Sequence, residues 1–159
     1  MSHIKDYGSV FVLGVAPVPA WQGWERMLAM KKSSAVPAPY VVIVIDDDPA
    51  VRNSLKFALE VEGFMVRAYS NAYALLSETD LPTNSCLVID YHMPAMNGLE
   101  LLARLRDRGV SIPALVTTSH PNRRLRERIA AAGVPLIEKP FLGSALTEQI
   151  RGALDPDRC

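Results

Sequence analysis

The sequence has little of what ties a protein to a membrane, an oxidising compartment or a polyanion. It contains two cysteines, Cys86 and Cys159, which are not spaced as a metal clip, and Cys86 begins an apolar run. No apolar stretch approaches the about 20 residues of a membrane span, and the short run at 10–16 lacks the basic leader of a signal peptide. The 17 basic side chains balance 17 acidic ones. Composition therefore favours a cytoplasmic protein with neither a nucleic-acid nor a membrane partner.

Residues 1–38 differ in character from the rest of the chain. They contain both tryptophans, several prolines and no sustained periodicity. We interpret them as an N-terminal extension that is flexible, that docks through its tryptophans, or that reflects a start site placed upstream of the true one. Residues 39–155 then form one domain, long enough for a sizeable core, and residues 156–159 are a C-terminal tail.

From residue 40 onward, apolar runs of about five residues alternate with longer amphipathic segments. This alternation is typical of β-α repeats, which form a parallel sheet. The predicted strands are 40–45, 65–69, 86–90, 112–117 and 134–138. Right-handed crossovers place helices on both faces of such a sheet. The predicted fold is therefore α/β, a doubly wound five-stranded parallel sheet with the flavodoxin-like strand arrangement.

Short polar residues mark where the helices are expected to begin and end. Asp48, in front of a proline, is expected to cap the first helix, and Gly63 to end it. Ser70 is expected to cap a short second helix that ends near Glu78, and the third helix is expected to start near Asn97. The residues expected to face the core are Val51, Leu55, Ala58 and Leu59, then Leu99, Leu102 and Leu105, then Leu125 and Ile129, and finally Leu142, Leu146, Ile150 and Leu154.

Polar residues follow four of the predicted strands, at the edge of a parallel sheet where ligands bind. Asp46 and Asp47 follow the first strand and Asp90 ends the third. Carboxylates in one crevice need a proton or a cation, and oxygen ligands suit magnesium. Thr118 and Lys139 follow the fourth and fifth strands. The set suits phosphoryl transfer to a carboxylate, with Lys139 pairing with one phosphoryl oxygen and the Thr118 hydroxyl binding another.

Four segments carry a resemblance to a known family. They are VIDDDP at 44–49, IDYHMPAMNG at 89–98, IPALVTT at 112–118 and EKPF at 138–141. With these segments, residues 40–154 resemble the receiver domain of bacterial two-component response regulators. The sequences at 118–120 and 137–141 make the nitrogen-fixation regulator type of receiver the most similar.

The resemblance implies a role for each site residue. Asp90 would be the phosphoacceptor, Thr118 the switch hydroxyl and Lys139 the phosphate partner, followed by a cis peptide bond to Pro140. The implied ligands of Mg²⁺ (or Mn²⁺) are Asp46, Asp47, Asp90 and the backbone carbonyl of His92. The phosphodonor would be a sensor histidine kinase or a phosphotransfer protein. The domain would not be an enzyme beyond assisting its own phosphorylation and dephosphorylation.

Two departures from the family pattern fall on the face through which receivers usually signal. Leu136 stands three residues before Lys139, where many receivers have Tyr or Phe, and Pro135 weakens the fifth strand, which fits an edge strand. Phosphorylation is therefore expected to draw Thr118 toward Asp90 and to shift the arginine-rich fourth helix, without an aromatic flip. The output partner is expected to be a protein, and a homodimer through the fourth helix, fifth strand and fifth helix is a candidate.

Other functions fit the site less well. A phosphorylation-independent adaptor would not need the complete set of site residues. A phosphohydrolase with an aspartyl nucleophile usually has an acid/base Asp where this chain has His92, and a flavin protein of this fold would need a hydroxyl-rich loop after the first strand. His92 and His120 are too few for a zinc site; we expect them to line the mouth of the site and to affect access of water. Because the sequence stops at Cys159, we expect a stand-alone receiver, or one whose output lies in a part of the protein that this sequence lacks.

Overall fold

The computed structural model describes residues 39–141 and 144–155. The strands in this part of the chain are β1 (Val41–Ile45), β2 (Met65–Tyr69), β3 (Ser85–Asp90), β4 (Ala114–Thr118) and β5 (Leu136–Glu138). The helices are α1 (Pro49–Val61), α2 (Ala72–Leu76), α3 (Gly98–Asp107), α4 (Arg123–Ala131) and α5 (Ala145–Leu154). All strand pairs are parallel, and the order across the sheet is β2-β1-β3-β4-β5.

The two faces of the sheet are covered by different helices. Val42 and Val44 of β1 pack into a core with residues of α1 and α5, whereas Ile43 and Ile45 pack with residues of α2 and α3. Val116 of β4 forms a third, smaller core with α4. Because β1 and β3 are covered on both faces, they are continuous apolar runs without alternation. The predicted doubly wound α/β fold is confirmed.

Three of the predicted helix boundaries are confirmed. The Asp48 carboxylate accepts hydrogen bonds from the backbone amides of Ala50 and Val51, at 2.8 and 3.3 Å, and so caps α1. Gly63 follows the end of α1 with φ of +91°, a conformation that glycine adopts without strain. Asn97 caps α3 in a capping box with Glu100.

The expected boundaries of the second helix are wrong. Asn71, and not Ser70, caps α2, because its side-chain oxygen accepts a hydrogen bond from the amide of Ala74 at 2.9 Å. The helix ends at Leu76, two residues before the expected Glu78. Serine and asparagine are equally good caps in isolation, so sequence alone did not distinguish the two neighbours.

The fourth and fifth strands both begin two residues later than predicted. Ala114 and Leu136 are their first residues, and each follows a proline. Pro113 and Pro135 have no N–H to donate to the sheet, although their carbonyls still accept hydrogen bonds from the adjacent strand at 2.8 and 2.9 Å. The expected position of the last strand at an edge of the sheet is confirmed.

One expected core position is wrong, and three others, Val51, Leu99 and Leu154, are only partly buried against a core. Ala58 is exposed, and α1 contributes Leu55 and Leu59 as its buried residues. In α3, Leu101 is fully buried, whereas Leu99 is only half-buried and packs toward α4. Periodicity identified the correct side of each helix but not the width of the buried stripe.

Several predictions fall outside the described residues. These are the extension at 1–38, the tail at 156–159 and the core position of Leu142. Among the helices of the described ranges, none combines the length and the apolar character needed to cross a bilayer.

Candidate functional site

Two buried carboxylates meet one ammonium at the carboxyl end of the sheet. Asp90 ends β3 and is 6% exposed, and Asp46 directly follows β1 and is 1% exposed. The pairing of Ile45 with Ile89 between β1 and β3 puts these two aspartates side by side. The Lys139 Nζ donates hydrogen bonds to Oδ2 of Asp46 at 2.6 Å and to Oδ1 of Asp90 at 2.7 Å. The expected meeting of these three residues is therefore present in the structure.

The pKa of the Asp90 carboxyl is raised above its ordinary value. Burial is the largest cause, because loss of water disfavours the charged form. The Lys139 ammonium lowers this pKa, the Asp46 carboxylate raises it, and the backbone N–H of His92 lowers it. The contacts of Asp90 thus compensate only partly for the water that its carboxylate loses on burial. A bound cation would stabilise the negative charge further.

The pKa of Lys139 is also raised. Burial on its own lowers it and is the largest single influence, but the hydrogen bonds and charges of Asp46 and Asp90 raise it and together outweigh burial. Lys139 is therefore an ammonium at neutral pH, in contact with both carboxylates.

The start of α1 holds Asp46 in place. The Oδ1 of Asp46 accepts a hydrogen bond from the amide of Asp48 at 3.0 Å. Its backbone carbonyl accepts one from Nη1 of Arg52 at 2.8 Å, and the carbonyl of Asp47 accepts a longer one at 3.4 Å. Sequence reasoning missed Arg52, whose only signal is its place in the first turns of the helix that follows the acidic triplet.

The expected metal ligands are only partly brought together. Asp46 and Asp90 meet at Lys139, whereas Asp47 and His92 are exposed beside them. Across the described ranges, no three His, Cys, Asp or Glu side chains are grouped as a metal site. The fourth expected ligand, at His92, is a backbone carbonyl and not a side chain. Carboxylate and carbonyl oxygens are nevertheless the donors that Mg²⁺ takes, so the residues fit this ion.

Thr118 is fully buried at the end of β4. Its hydroxyl accepts a hydrogen bond from the backbone amide of His120, at 3.5 Å, in the loop before α4. Its carbonyl accepts one from the amide of Lys139 at 2.9 Å. The Lys139-Pro140 bond is cis, as the resemblance implied. Thr118 therefore links the site to the loop that leads into α4.

The structure shows a steric reason for glycine at position 98, which the sequence pattern did not reveal. A Cβ atom at this position would lie 2.7 Å from the carbonyl oxygen of Asp90 and 3.2 Å from Cα of Tyr91. The amide of Gly98 donates to the carbonyl of Tyr91 at 3.1 Å. The first residue of α3 thus packs directly on the main chain of Asp90, and only glycine fits there.

Two histidines and a tyrosine surround the site. His92 and His120 are both exposed, which agrees with a place at the mouth. Tyr91 is half-buried, and its ring contacts that of His92 edge-on with centroids 4.8 Å apart. Sequence reasoning gave Tyr91 no role.

Comparison with known proteins identifies the family of the domain. The family model of the response regulator receiver domain matches residues 42–151. The chain is 39% identical over 115 residues to the transcriptional regulatory protein FixJ of Rhizobium meliloti, which covers 72% of this chain and 56% of the relative. It is 31% identical over 115 residues to the response regulator protein TodT of Pseudomonas putida, which covers 72% of this chain and 51% of the relative.

Among solved structures, the crystal structure of FixJ-N matches with a TM-score of 0.68 and 38% identity, over 74% of this chain and 95% of that chain. The chain spans about half the length of the curated relatives it matches, so a receiver that acts without an attached output domain stays a prediction. Receiver domains are phosphoacceptors rather than classical enzymes, and they generally bind Mg²⁺ at the site of phosphorylation. The match to the family model, the identity to these relatives and the shared fold together show that the chain belongs to the response regulator receiver domain family of two-component systems.

Proposed function

We propose that Asp90 accepts a phosphoryl group from a sensor histidine kinase or a phosphotransfer protein in the cytoplasm, with Mg²⁺ or Mn²⁺ bound beside it. The observation that supports this is the contact of one ammonium, Lys139, with two buried carboxylates, Asp46 and Asp90, at 2.6 and 2.7 Å. A structural ion pair needs one carboxylate for each ammonium. The second carboxylate leaves a net negative charge that suits a divalent cation.

The reaction moves a phosphoryl group between two nucleophiles. An oxygen of Asp90 forms a bond to phosphorus while the bond from phosphorus to the donor imidazole nitrogen breaks, and the electron pair returns to the imidazole. Lys139 already touches Asp90 and can follow the new phosphoryl oxygens as a point charge. The Thr118 hydroxyl, which accepts only a long hydrogen bond in the structure, can donate to another of these oxygens.

The ion would be held by Asp46, Asp47, one carboxylate oxygen of Asp90 and the backbone carbonyl of His92. When bound, it supplies positive charge against the charge that spreads over the phosphoryl oxygens. Asp46 is positioned for this by the amide of Asp48 and by Arg52. Asp47 is exposed and free to turn toward the site.

The phosphodonor would approach along a groove between α1 and α5. This groove has a volume of about 820 Å³, and Lys139 forms part of its wall. Leu55, Ala58, Phe141 and Leu146 supply apolar surface. A donor protein must bring its phosphohistidine to Asp90, and a helix laid in this groove would end beside Lys139. The output surface would be formed by α4, β5 and α5, for an unidentified protein or for a second copy of this chain.

Labelling by a small phosphodonor tests the acceptor. The protein is incubated with acetyl phosphate and Mg²⁺, and the gain of one phosphoryl mass is followed by mass spectrometry. Asp90→Asn should abolish the gain, whereas Asp48→Asn, which keeps a good helix cap, should label like the unsubstituted protein. Full labelling of Asp90→Asn would refute the assignment.

Calorimetric titration with Mg²⁺ tests the metal site. Because protons compete with the ion for carboxylates, and the pKa of Asp90 is raised by burial, affinity should fall as the pH is lowered. Asp47→Ala should weaken binding by about tenfold or more. An affinity that is the same in Asp47→Ala would contradict the ligand set.

A further inference from the structure

Tyr91 connects the acceptor strand to α4. It directly follows Asp90, and its hydroxyl accepts a hydrogen bond from Nη1 of Arg128, at 3.0 Å, in α4. Its ring packs partly against the third core, which Val116, Leu125 and Ile129 form. The side chain that follows Asp90 thus contacts the exposed side of α4, at a residue 37 positions further along the chain.

The main chain of Tyr91 is held on both sides. Its amide donates to the carbonyl of Thr117 at 2.8 Å, and its carbonyl accepts from the amide of Gly98 at 3.1 Å. The backbone at this point cannot shift without breaking the contact between β3 and β4. A relative movement of the Tyr91 backbone and α4 must therefore come from α4.

The loop before α4 is tied to the site through Thr118. The hydroxyl of Thr118 accepts the hydrogen bond from the amide of His120, and α4 begins three residues later at Arg123. If this hydroxyl turns to a phosphoryl oxygen, it loses its contact with the loop, and α4 is freed to move. Arg128 lies in the last turn of α4 and would be carried away from Tyr91.

Leu136 lies in the same small core as Tyr91. Many receivers have Tyr or Phe at this position, and Leu136 leaves it without an aromatic ring. The aromatic ring in this core comes instead from the end of β3, next to the acceptor itself.

We propose that Tyr91 is a positioning residue that holds α4 in the resting arrangement through Arg128, and that this contact breaks on phosphorylation. The inference rests on the proposed phosphorylation of Asp90. A substitution that weakens the contact between Tyr91 and Arg128 should then favour the activated arrangement. Because a phosphoryl analogue binds the activated arrangement better, the same substitution should increase the affinity for the analogue. Arg128 is exposed in the resting structure, so activation changes its partner and its position rather than its exposure.

The test measures the affinity for beryllofluoride, which with Mg²⁺ occupies the place of the phosphoryl group. Tyr91→Phe removes only the hydroxyl, and Arg128→Met removes only the guanidinium. Each should bind beryllofluoride about threefold to tenfold more tightly than the unsubstituted protein, the range expected for loss of one partly exposed hydrogen bond. The double variant should bind no more tightly than either single variant, because both remove the same contact.

Amide shifts of α4 provide a second readout in the absence of beryllofluoride. In both single variants they should move along the line that joins the free and the beryllofluoride-bound positions of the unsubstituted protein. Arg123→Met is the matched control, since Arg123 pairs with Glu127 inside the same helix; its affinity should stay within about twofold of the unsubstituted protein.

Failure of this inference differs from failure of the proposed function. If the unsubstituted protein neither binds beryllofluoride nor takes a phosphoryl label, the proposed function is wrong and the inference falls with it. If it binds, but Tyr91→Phe and Arg128→Met have unchanged or weaker affinity, or their effects add, Tyr91 does not hold the resting state.

Discussion

The strands that carry the carboxylates differ sharply from the part of the molecule proposed to transmit the signal. Every residue of β1 and β3 is buried, whereas no residue of β5 is. β5 has three residues and lies at an edge, and the adjacent α4 buries only Leu125 and Ile129. The proposed acceptor therefore lies on a well-packed part of the sheet, while the proposed relay lies on a thinly packed part.

This difference in packing would suit the two tasks that we propose for the domain, phosphoryl transfer and signal relay. Transfer of a phosphoryl group needs reacting atoms in fixed positions, which two central strands supply. A change of conformation needs an element with low local stability, which a short edge strand and a polar helix supply. The contacts of Lys139 and Tyr91 bridge the two regions.

Hydrogen exchange should show the largest contrast between them. The hydrogen-bonded amides of β1 and β3 should exchange only through global unfolding, whereas those of β5 should exchange through local opening, at least roughly a hundredfold faster. β4 is the internal control, since it is buried and paired on both sides. Equal protection of β3 and β5, measured by NMR, would remove the basis of the comparison.

Substitution of Gly98 should test how firmly the acceptor strand is packed. Gly98→Ala places a Cβ 2.7 Å from the backbone oxygen of Asp90, and we expect it to lower the free energy of unfolding by about 1–3 kcal/mol. Gly152→Ala is the matched control in α5, where a Cβ meets nothing within 4 Å; it should raise stability by up to about 1 kcal/mol. Urea unfolding measures both, and similar effects in the two variants would contradict the tight fit at Gly98.

The raised pKa of Asp90 predicts a specific dependence of stability on pH. Burial raises this pKa above the unfolded value. At a pH between the unfolded and the folded pKa, Asp90 is therefore protonated in the native state and ionised in the unfolded state. The contribution of Asp90 to the free energy of unfolding is therefore largest at acid pH, and it falls as the pH rises from the unfolded value of 3.8 through the higher folded value.

Asp90→Asn should abolish this slope, so that the variant gains stability relative to the unsubstituted protein as the pH rises from about 4 to about 7. Urea unfolding at several pH values measures the difference. A gap between the two proteins that is constant or narrows would show that Asp90 titrates normally in the fold.

The exposed ion pair of the relay region should contribute least. Arg126 of α4 pairs with Glu138 of β5, and both side chains are 49% exposed. Glu138→Gln should change the free energy of unfolding by less than about 1 kcal/mol, since solvent screens such pairs. Glu62→Gln, which breaks the similarly exposed pair with Arg151, is the control. A much larger loss in Glu138→Gln alone would show that α4 is held to β5 more firmly than its burial indicates.

Much of the fold was predictable because it rests on local patterns. Strand runs such as that of β1, helix caps such as Asp48 and Asn97, and the edge position of the strand after Pro135 all depend on residues close together in the chain. The strand starts at Ala114 and Leu136 were predicted two residues too early, because the apolar runs continue through Pro113 and Pro135, which lack the N–H that a sheet position needs. The interpretation of residues 1–38 as an N-terminal extension stays a prediction.

The sequence by itself determined which chemistry the site can perform. A parallel sheet brings the carboxyl ends of its strands to one edge, so Asp46, Asp90, Thr118 and Lys139 had to lie near each other. Only the tertiary structure decided that Lys139 binds both carboxylates, that Gly98 packs on the main chain of Asp90, and that Tyr91 meets Arg128. Lys139 is 93 residues from Asp46 and 49 from Asp90, and contacts over such separations are set by the packing of whole elements, which no local pattern encodes.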